Sequence, residues 1–413
     1  MNLYRKSTQL RALHQLGINN LYPWQAEVLP AVLSGQDVLV VQTTSGGKSL
    51  LYQLPAVMDA GSQLTIVFSP LRALQENQVA ALRQHGVRAA ALNADLPPAK
   101  RQELLASLHE TALLYLAPEQ LRSSGLLSAL KRCTVSRVVV DEAHVLPQEG
   151  LSFRKAYGNI GSFICSLPSR PQVIACTATA TPKERRAILD SLGMEDPACF
   201  IYPIRRENLR LQIKRVESCK GRKDALEQNL FHAVERELER WDNTGSVILY
   251  APTVKRTKQL AKWLKGRGWD VGKYTGKMKG SKRQKTTAAF LSGKKRVLVA
   301  TNAFGLGIDK PDVRLIIHAG LPLTLNGYVQ EIGRAGRDGK KARCVLFYSR
   351  KDLSRNERIL NCGNKKAVRR ALKGLDALKK MLDSKKCIWK SIEAYYGESA
   401  KGACGHCSRC AKP

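Results

Sequence analysis

The chain is poor in acid and has no long apolar run. Of its 413 residues only 34 are Asp or Glu, against 68 Lys and Arg, a formal balance of +34. No segment reaches the ~18 uninterrupted apolar residues of a membrane-crossing helix. The start, Met1-Asn2-Leu3-Tyr4-Arg5-Lys6, lacks the apolar stretch of a secretory leader. Membrane and secreted classes are thereby set aside, and a soluble cytoplasmic protein is expected, nucleoid-associated if bacterial. At 44% hydrophobic and 25% charged residues the chain can bury cores, which excludes disordered and collagen-like classes. Its length excludes a small stapled scaffold and suggests two or three domains. The shortage of acid points to a polyanionic partner, nucleic acid before charged lipid. Seven of the eleven cysteines (Cys133, Cys165, Cys176, Cys199, Cys219, Cys344 and Cys362) are scattered, several in apolar runs, as buried free thiols in a reducing compartment would be.

Up to Pro203, short apolar runs at 37–41, 64–68, 112–116, 135–140 and 172–176 alternate with helical patterns. This is the rhythm of a parallel α/β sheet. A polar, charged stretch over 205–244 follows, and the rhythm restarts at 247–250, 296–300, 314–318 and 344–348. From Lys351 the pattern is helical, with Val368, Leu372, Leu375, Leu378 and Leu382 on one face. The pattern predicts two tandem α/β domains, 1–203 and 204–350, and a small helical unit, 351–413. Their net charges are +4 (19 basic, 15 acidic), +20 (33 and 13) and +10 (16 and 6). The polyanion is therefore expected mainly on the second and third.

After the run ending at Val41 comes Gln42-Thr43-Thr44-Ser45-Gly46-Gly47-Lys48-Ser49, then a helical pattern from Leu50. Small residues at Thr44, Gly46 and Gly47 let backbone N–H groups surround phosphates. Lys48 reaches the β and γ oxygens, Ser49 offers a hydroxyl to Mg²⁺, and the helix N-terminus favours an anion. Gln42 stands where the usual phosphate loop has its first glycine. The run Val138-Val139-Val140 delivers Asp141 and Glu142 at a strand's C-terminal end, where open α/β sheets bind ligands. Asp141 suits Mg²⁺ held through water, and Glu142 suits activation of the attacking water.

Taken in order, Asp141-Glu142-Ala143-His144, Ser69-Pro70-Leu71-Arg72, Thr177-Ala178-Thr179-Ala180-Thr181, the run from Ala303 to Pro311 and the run from Gln330 to Gly339 resemble the RecQ family of superfamily 2 DNA helicases. The resemblance covers nearly the whole chain. It implies two tandem RecA-like parallel-sheet domains, ATP and Mg²⁺ as ligands, and adenine read by Gln25. It also implies Gln330 at the nucleotide, His144 in the catalytic set, and Thr177 and Thr179 linking hydrolysis to movement. Arg334 and Arg337 are implied as arginine fingers in the interdomain cleft, an ion-pair role being the alternative.

Cys387, Cys404, Cys407 and Cys410 form a separate cluster. Four soft ligands in two nearby stretches suit a closed tetrahedral Zn²⁺ site, with an iron–sulfur cluster as the competing reading. The spacing also matches the family's zinc subdomain, including Trp389 and Tyr395-Tyr396-Gly397. His406 lies out of register and is read as a neighbour of the ligands or as exposed. Two departures from the family stand out. Many relatives carry winged-helix and further DNA-binding domains that have no counterpart after Cys410. The aromatic-rich loop reads Gln148-Glu149-Gly150-Leu151-Ser152-Phe153-Arg154, with Glu149 in place of tryptophan and Leu151 in place of histidine. Weaker DNA coupling is expected from that loop. The combined expectation is a monomeric ATP-dependent helicase moving 3′ to 5′ on single-stranded DNA, acting on forked or partial duplexes with repair or recombination proteins. An RNA helicase and a zinc-bearing DNA-binding protein with little turnover are the alternatives.

Overall fold

The computed structural model describes residues 3–43, 47–59, 63–70, 72–146, 152–217, 225–305, 309–362, 365–399 and 402–411. Contacts divide the chain into two compact units, Met1–Tyr202 and Pro203–Pro413.

The first unit holds β1 (Val38–Val41), β2 (Leu64–Phe68), β3 (Ala89–Leu92), β4 (Leu113–Leu116), β5 (Val135–Asp141), β6 (Gln172–Thr177) and β7 (Ala198–Ile201). They form one sheet in the order β3-β4-β2-β5-β6-β1-β7, with every pair parallel. Helices cover both faces. Leu39 and Val41 enter one core while Val38 and Val40 enter the other, so the strand reads as an unbroken apolar run.

The second unit repeats the plan with β8 (Leu209–Arg215), β9 (Ser246–Tyr250), β10 (Val271–Tyr274), β11 (Val297–Ala300), β12 (Val313–Ala319) and β13 (Ala342–Tyr348). The order is β10-β11-β9-β12-β13-β8, again all parallel. The stretch 205–244, read from sequence as a polar connection, contains β8 and the helix Ala225–Glu239. β8 is Leu-Arg-Leu-Gln-Ile-Lys-Arg, whose charged outer face masks buried Leu209 and Leu211. The helix buries Leu230, Phe231, Val234 and Leu238, together with Glu235, paired with Arg267, and Glu237, paired with Lys214 and Arg343.

The C-terminal helices Arg350–Leu360, Lys365–Asp383 and Ile388–Tyr395 fall within the second unit. Leu375, Leu378, Trp389 and Cys407 share one core with Leu209, Leu211 and Ile316 of the sheet. Trp389 is fully buried, and its indole N–H donates to the Leu209 carbonyl at 3.4 Å. The Ser408 N–H donates to the Leu211 carbonyl at 2.9 Å, and the Ile213 N–H donates to Ser408 Oγ at 3.3 Å. The cysteine-bearing loop thus occupies hydrogen-bonding groups of edge strand β8, which would otherwise lie open to pairing with another chain.

Of the scattered cysteines, Cys176 and Cys344 are buried on β6 and β13, whereas Cys165, Cys199 and Cys362 are exposed. Burial therefore holds for the central strand positions and not for those at helix ends or on the edge strand. Cys219 lies outside the described residues. Among the described residues, no helix is long and apolar enough to cross a membrane.

Because Trp389 joins the C-terminal helices to the sheet, Trp389→Ala should remove about 3 to 5 kcal/mol from the second unit. Urea unfolding of the full chain should show a second-unit transition moved to lower denaturant with the first-unit transition unmoved. Superimposable curves for the two proteins would contradict this packing.

Candidate active site and metal centre

Strands β5, β6 and β1 are neighbours, and their C-terminal ends carry three groups of residues. β1 leads into the Gln42 to Ser49 loop, β6 ends at Thr177, and β5 ends at Asp141 followed by Glu142. The register pairs Val41 with Thr177 and Asp141 with Cys176, so the three ends are almost level. Ligands of open parallel sheets bind at this edge.

Gly47 has φ +71°, a conformation that favours glycine, and a Cβ there would lie 2.8 Å from Gln25 Nε2 and displace that side chain. Gln25 is buried. Its Nε2 donates to the Gly47 carbonyl at 2.9 Å, and its Oε1 accepts from the Tyr22 N–H at 2.9 Å. It therefore tethers the loop, a structural duty that no sequence pattern signals. Gln25 also borders a cavity of about 330 Å³ lined by Ile18, Tyr22, Gly47, Ser49 and Gln53. Lys48 Nζ donates to the carbonyls of Gln42 at 2.8 Å and Thr43 at 3.1 Å. Ser49 precedes the helix Leu50–Met58, and its hydroxyl makes no capping bond. Thr44 and Gly46 lie outside the described residues.

Asp141 is pushed up to about 6 by burial and then by the charge of Glu142, while Lys48 pulls the other way. Glu142 sits at φ +54°, a left-handed conformation that costs a non-glycine residue of order 1 kcal/mol. Its N–H donates to Asp141 Oδ1 at 3.0 Å. His144 Nδ1 lies 3.2 Å from Glu142 Oε2 and 3.1 Å from Thr177 Oγ1. The Thr177 hydroxyl donates to the Thr179 carbonyl at 3.2 Å. A polar chain thus runs from Glu142, just past β5, through buried His144 to Thr177 at the end of β6.

In the second unit, the helix Leu325–Ile332 is capped by Thr324, which accepts from the Gly327 N–H at 3.1 Å. Gln330 lies partly buried on this helix, and Arg334 and Arg337 follow it. The Arg334 guanidinium donates to the Gly305 carbonyl. Arg337 pairs with exposed Asp309 at 2.8 Å. Burial, with Arg334 as a like-charged neighbour, lowers the pKa of Arg337. Sequence reasoning missed Tyr250, whose hydroxyl donates to the Phe304 carbonyl at 3.1 Å and whose ring stacks on His318 with centroids 5.5 Å apart. It fixes the backbone beside the carbonyl that Arg334 holds. A tyrosine ending an apolar strand carries no pattern that would reveal this. Leu306 to Ile308, Gln148 to Leu151, and the side chains of Phe153 and Arg154 lie outside the described residues.

The thiols of Cys387, Cys404, Cys407 and Cys410 lie within 4.8 Å of one another. Cys407 Sγ is 3.9 Å from Cys387 Sγ and 3.5 Å from Cys410 Sγ. Tetrahedral zinc with Zn–S bonds of about 2.3 Å sets sulfur separations of about 3.8 Å, so the cage fits a single ion. An iron–sulfur cluster would hold the thiols further apart. Cys387 begins the helix Ile388–Tyr395. Burial opposes its ionisation, yet N–H groups of Cys404 and Lys390 outweigh that and hold its thiol down at about 7. His406 donates Nδ1–H to the Cys404 carbonyl at 2.6 Å and stays out of the thiol cluster.

Two RecA-like parallel sheets with a phosphate loop and an acid pair at one strand edge define the class of helicase-type ATPases. Across 96% of this chain and 56% of its own, the Mycobacterium smegmatis helicase Lhr, solved with ssDNA and AMP-PNP, superposes with a TM-score of 0.66 at 20% identity. Residues 22–188 match the DEAD/DEAH box helicase family, 229–339 the helicase conserved C-terminal domain, and 350–411 the RecQ zinc-binding family. The ATP-dependent DNA helicase RecQ of Synechocystis sp. is 38% identical over 79% of this chain and 68% of its own length. RecQ of Bacillus subtilis is 33% identical over 96% of this chain and 66% of its own. The chain belongs to the RecQ family of ATP-dependent DNA helicases. It spans about two thirds of the length of these two relatives.

Purified protein should carry about one zinc per chain, as a single closed four-thiolate site requires. Cys404→Ser should abolish the zinc and destabilise the second unit. Elemental analysis finding iron and sulfide, or no metal in a folded chain, would refute the assignment.

Proposed function

We propose that the chain hydrolyses ATP to drive 3′ to 5′ movement along single-stranded DNA and so opens forked or partial duplexes. The observation that carries this reading is that three adjacent strands end level at Val41, Asp141 and Thr177, with Lys48 bonded back to the Gln42 carbonyl beside Val41 and its charge acting on Asp141. In this reading the Gln42 to Ser49 loop, with Thr44, Gly46 and Gly47, cradles the phosphates, and Lys48 neutralises the β and γ oxygens. Ser49 and, through water, Asp141 would hold Mg²⁺, which would supply further neutralisation of phosphate charge. Glu142 orients the attacking water and takes its proton, with His144 fixing the carboxylate. Gln25 and the cavity beside it receive the adenine. Gln330 serves the nucleotide from the second unit, and Arg334 and Arg337 act as arginine fingers on charge developing at the γ-phosphate. Thr177, bonded to His144 and to the Thr179 carbonyl, would together with Thr179 link hydrolysis to domain movement.

The division 1–203, 204–350 and 351–413 assigns nucleotide chemistry to the first part, strand contact to the second and a zinc-stabilised basic surface to the third. A monomer working in the cytoplasm in recombination or repair is the setting this reading implies.

Lys48→Ala should lose ATP binding and turnover together, by roughly the 10²- to 10³-fold typical of removing one transition-state contact. Glu142→Gln should keep binding and lose turnover. Assaying ATPase side by side with no polynucleotide, single-stranded DNA and RNA decides the substrate. Stimulation by DNA alone fits the proposal, stimulation by RNA alone transfers it to RNA, and unchanged turnover in both variants ends it.

A further inference from the structure

The most lopsided charge in the sequence falls in the second unit, on segments that carry none of the nucleotide residues named above. Residues 253–296 contain 15 Lys and Arg and a single acid, Asp270. They form the helix Val254–Gly266, edge strand β10 and the helix Gly280–Leu291. The chain crosses from β9 out to β10 and back to β11, and two right-handed crossovers in opposite directions place the helices on opposite faces of the sheet. Their buried residues agree: Leu260 and Leu264 pack into one core, Phe290 into the other. The two helices therefore flank the sheet edge as one basic rim.

Inward and outward cations on this rim are treated differently. Arg256 pairs with Glu227 and Asp352, Arg267 with Glu235, and Lys295 with Asp270. Lys258, Lys262 and Lys265 on one helix, and Lys282, Arg283 and Lys285 on the other, are exposed and make no ion pair among the described residues. Lys258 and Lys262 are four apart and Lys262 and Lys265 three apart, spacings at which like charges destabilise a helix. The helix Gly280–Leu291 opens on cations with no acid in its first turn, against its own dipole. Nothing among the described residues compensates these costs, whereas an ordinary solvated face mixes both signs.

We propose that this rim binds the phosphate backbone of double-stranded nucleic acid, as a contact separate from the single-strand track. The aromatics decide for duplex over single strand. A single-strand site pairs cations with open rings on which bases stack. Here Phe290 is buried, Tyr274 packs edge-on against Phe304, Trp263 is covered by Arg267 at 4.2 Å and flanked by Phe231 and His232, and Trp269 packs partly buried against the core that holds Leu260 and Leu264. The helices are about 18 to 20 Å long, and a duplex presents one phosphate per ~1.7 Å, so about eleven phosphates pass along the rim.

The test replaces Lys258, Lys262, Lys282 and Lys285 together by Ala in the full chain. Binding of a blunt duplex is titrated from 50 to 200 mM salt, with single-stranded DNA of the same sequence, polyglutamate and anionic phospholipid vesicles as parallel probes. Duplex affinity should fall about tenfold at low salt, and the log–log salt slope should flatten by about 3.6, near 0.9 for each of the four phosphates no longer neutralised. Basal ATPase and its stimulation by single-stranded DNA should stay unchanged, and the Lys→Arg version of the same four positions should restore duplex binding. Unchanged duplex affinity and slope would overturn the proposal. So would equal losses toward polyglutamate or vesicles, which would make the rim a nonselective cation surface, or an equal loss of single-strand stimulation, which would place these lysines on the track.

Discussion

Two adjacent carboxylates at the end of β5 cannot both stay ionised in an enclosed, partly desolvated place unless positive charge is brought to them, and the first unit is arranged around that constraint. Burial and mutual repulsion already lift Asp141 to about 6, against the opposing charge of Lys48 and, more weakly, of His144. The lysine comes from the loop after β1, two strands away, so the order β5-β6-β1 puts it within electrostatic reach. Glu142 is held in a left-handed backbone conformation beside the same acid. A strained residue and an under-compensated carboxylate mark a place whose charge balance is completed by a ligand. In the proposed reading, a metal–nucleotide complex would supply both a cation for the acids and an anion for Lys48.

The second unit faces a different constraint, an open sheet edge at β8. It is met by the C-terminal helices and the cysteine loop, which hydrogen-bond to that strand and share its core. The segment leaving the first unit is anchored to the same region. Arg205 pairs with Glu393 at 2.7 Å with both side chains largely buried, and the Ile204 N–H donates to Glu398 at 3.0 Å. Removing one partner of such a pair leaves an uncompensated charge, so the contact is stringent about geometry even where its net stabilisation is small. The thiol cage that starts the helix Ile388–Tyr395 therefore governs both the sheet edge and the first residues after the first unit.

How much of this was legible follows from burial. Nine strands buried on both faces read as apolar runs and were found in the sequence. The four that were not, β3, β7, β8 and β10, are the four edge strands of the two sheets. An edge strand needs apolar residues on fewer positions, and Ala89-Ala90-Ala91-Leu92 or Val271-Gly272-Lys273-Tyr274 carries too little pattern to stand out. At the site, Lys48, Asp141, Glu142 and the four cysteines were legible because phosphate and metal chemistry demand those residue types at fixed spacing. Arg334, Arg337 and Gln330 came from the family resemblance alone. The tether from Gln25 to Gly47 and the support Tyr250 gives were not legible, since each is a side chain bonded to backbone, which any sequence offers.

The central claim, that the raised acid at β5 is balanced by an incoming metal–nucleotide complex, is tested most directly by the pH dependence of binding. Affinity for a nonhydrolysable ATP analogue would be measured with Mg²⁺ from pH 5 to 8 in the wild type and in Asp141→Asn. The carboxyl is protonated below about 6 and must lose that proton to face the metal. Wild-type affinity relative to Asp141→Asn should therefore rise with pH, by up to tenfold per unit, and level off above that point. A ratio that stays flat across the range would contradict the account.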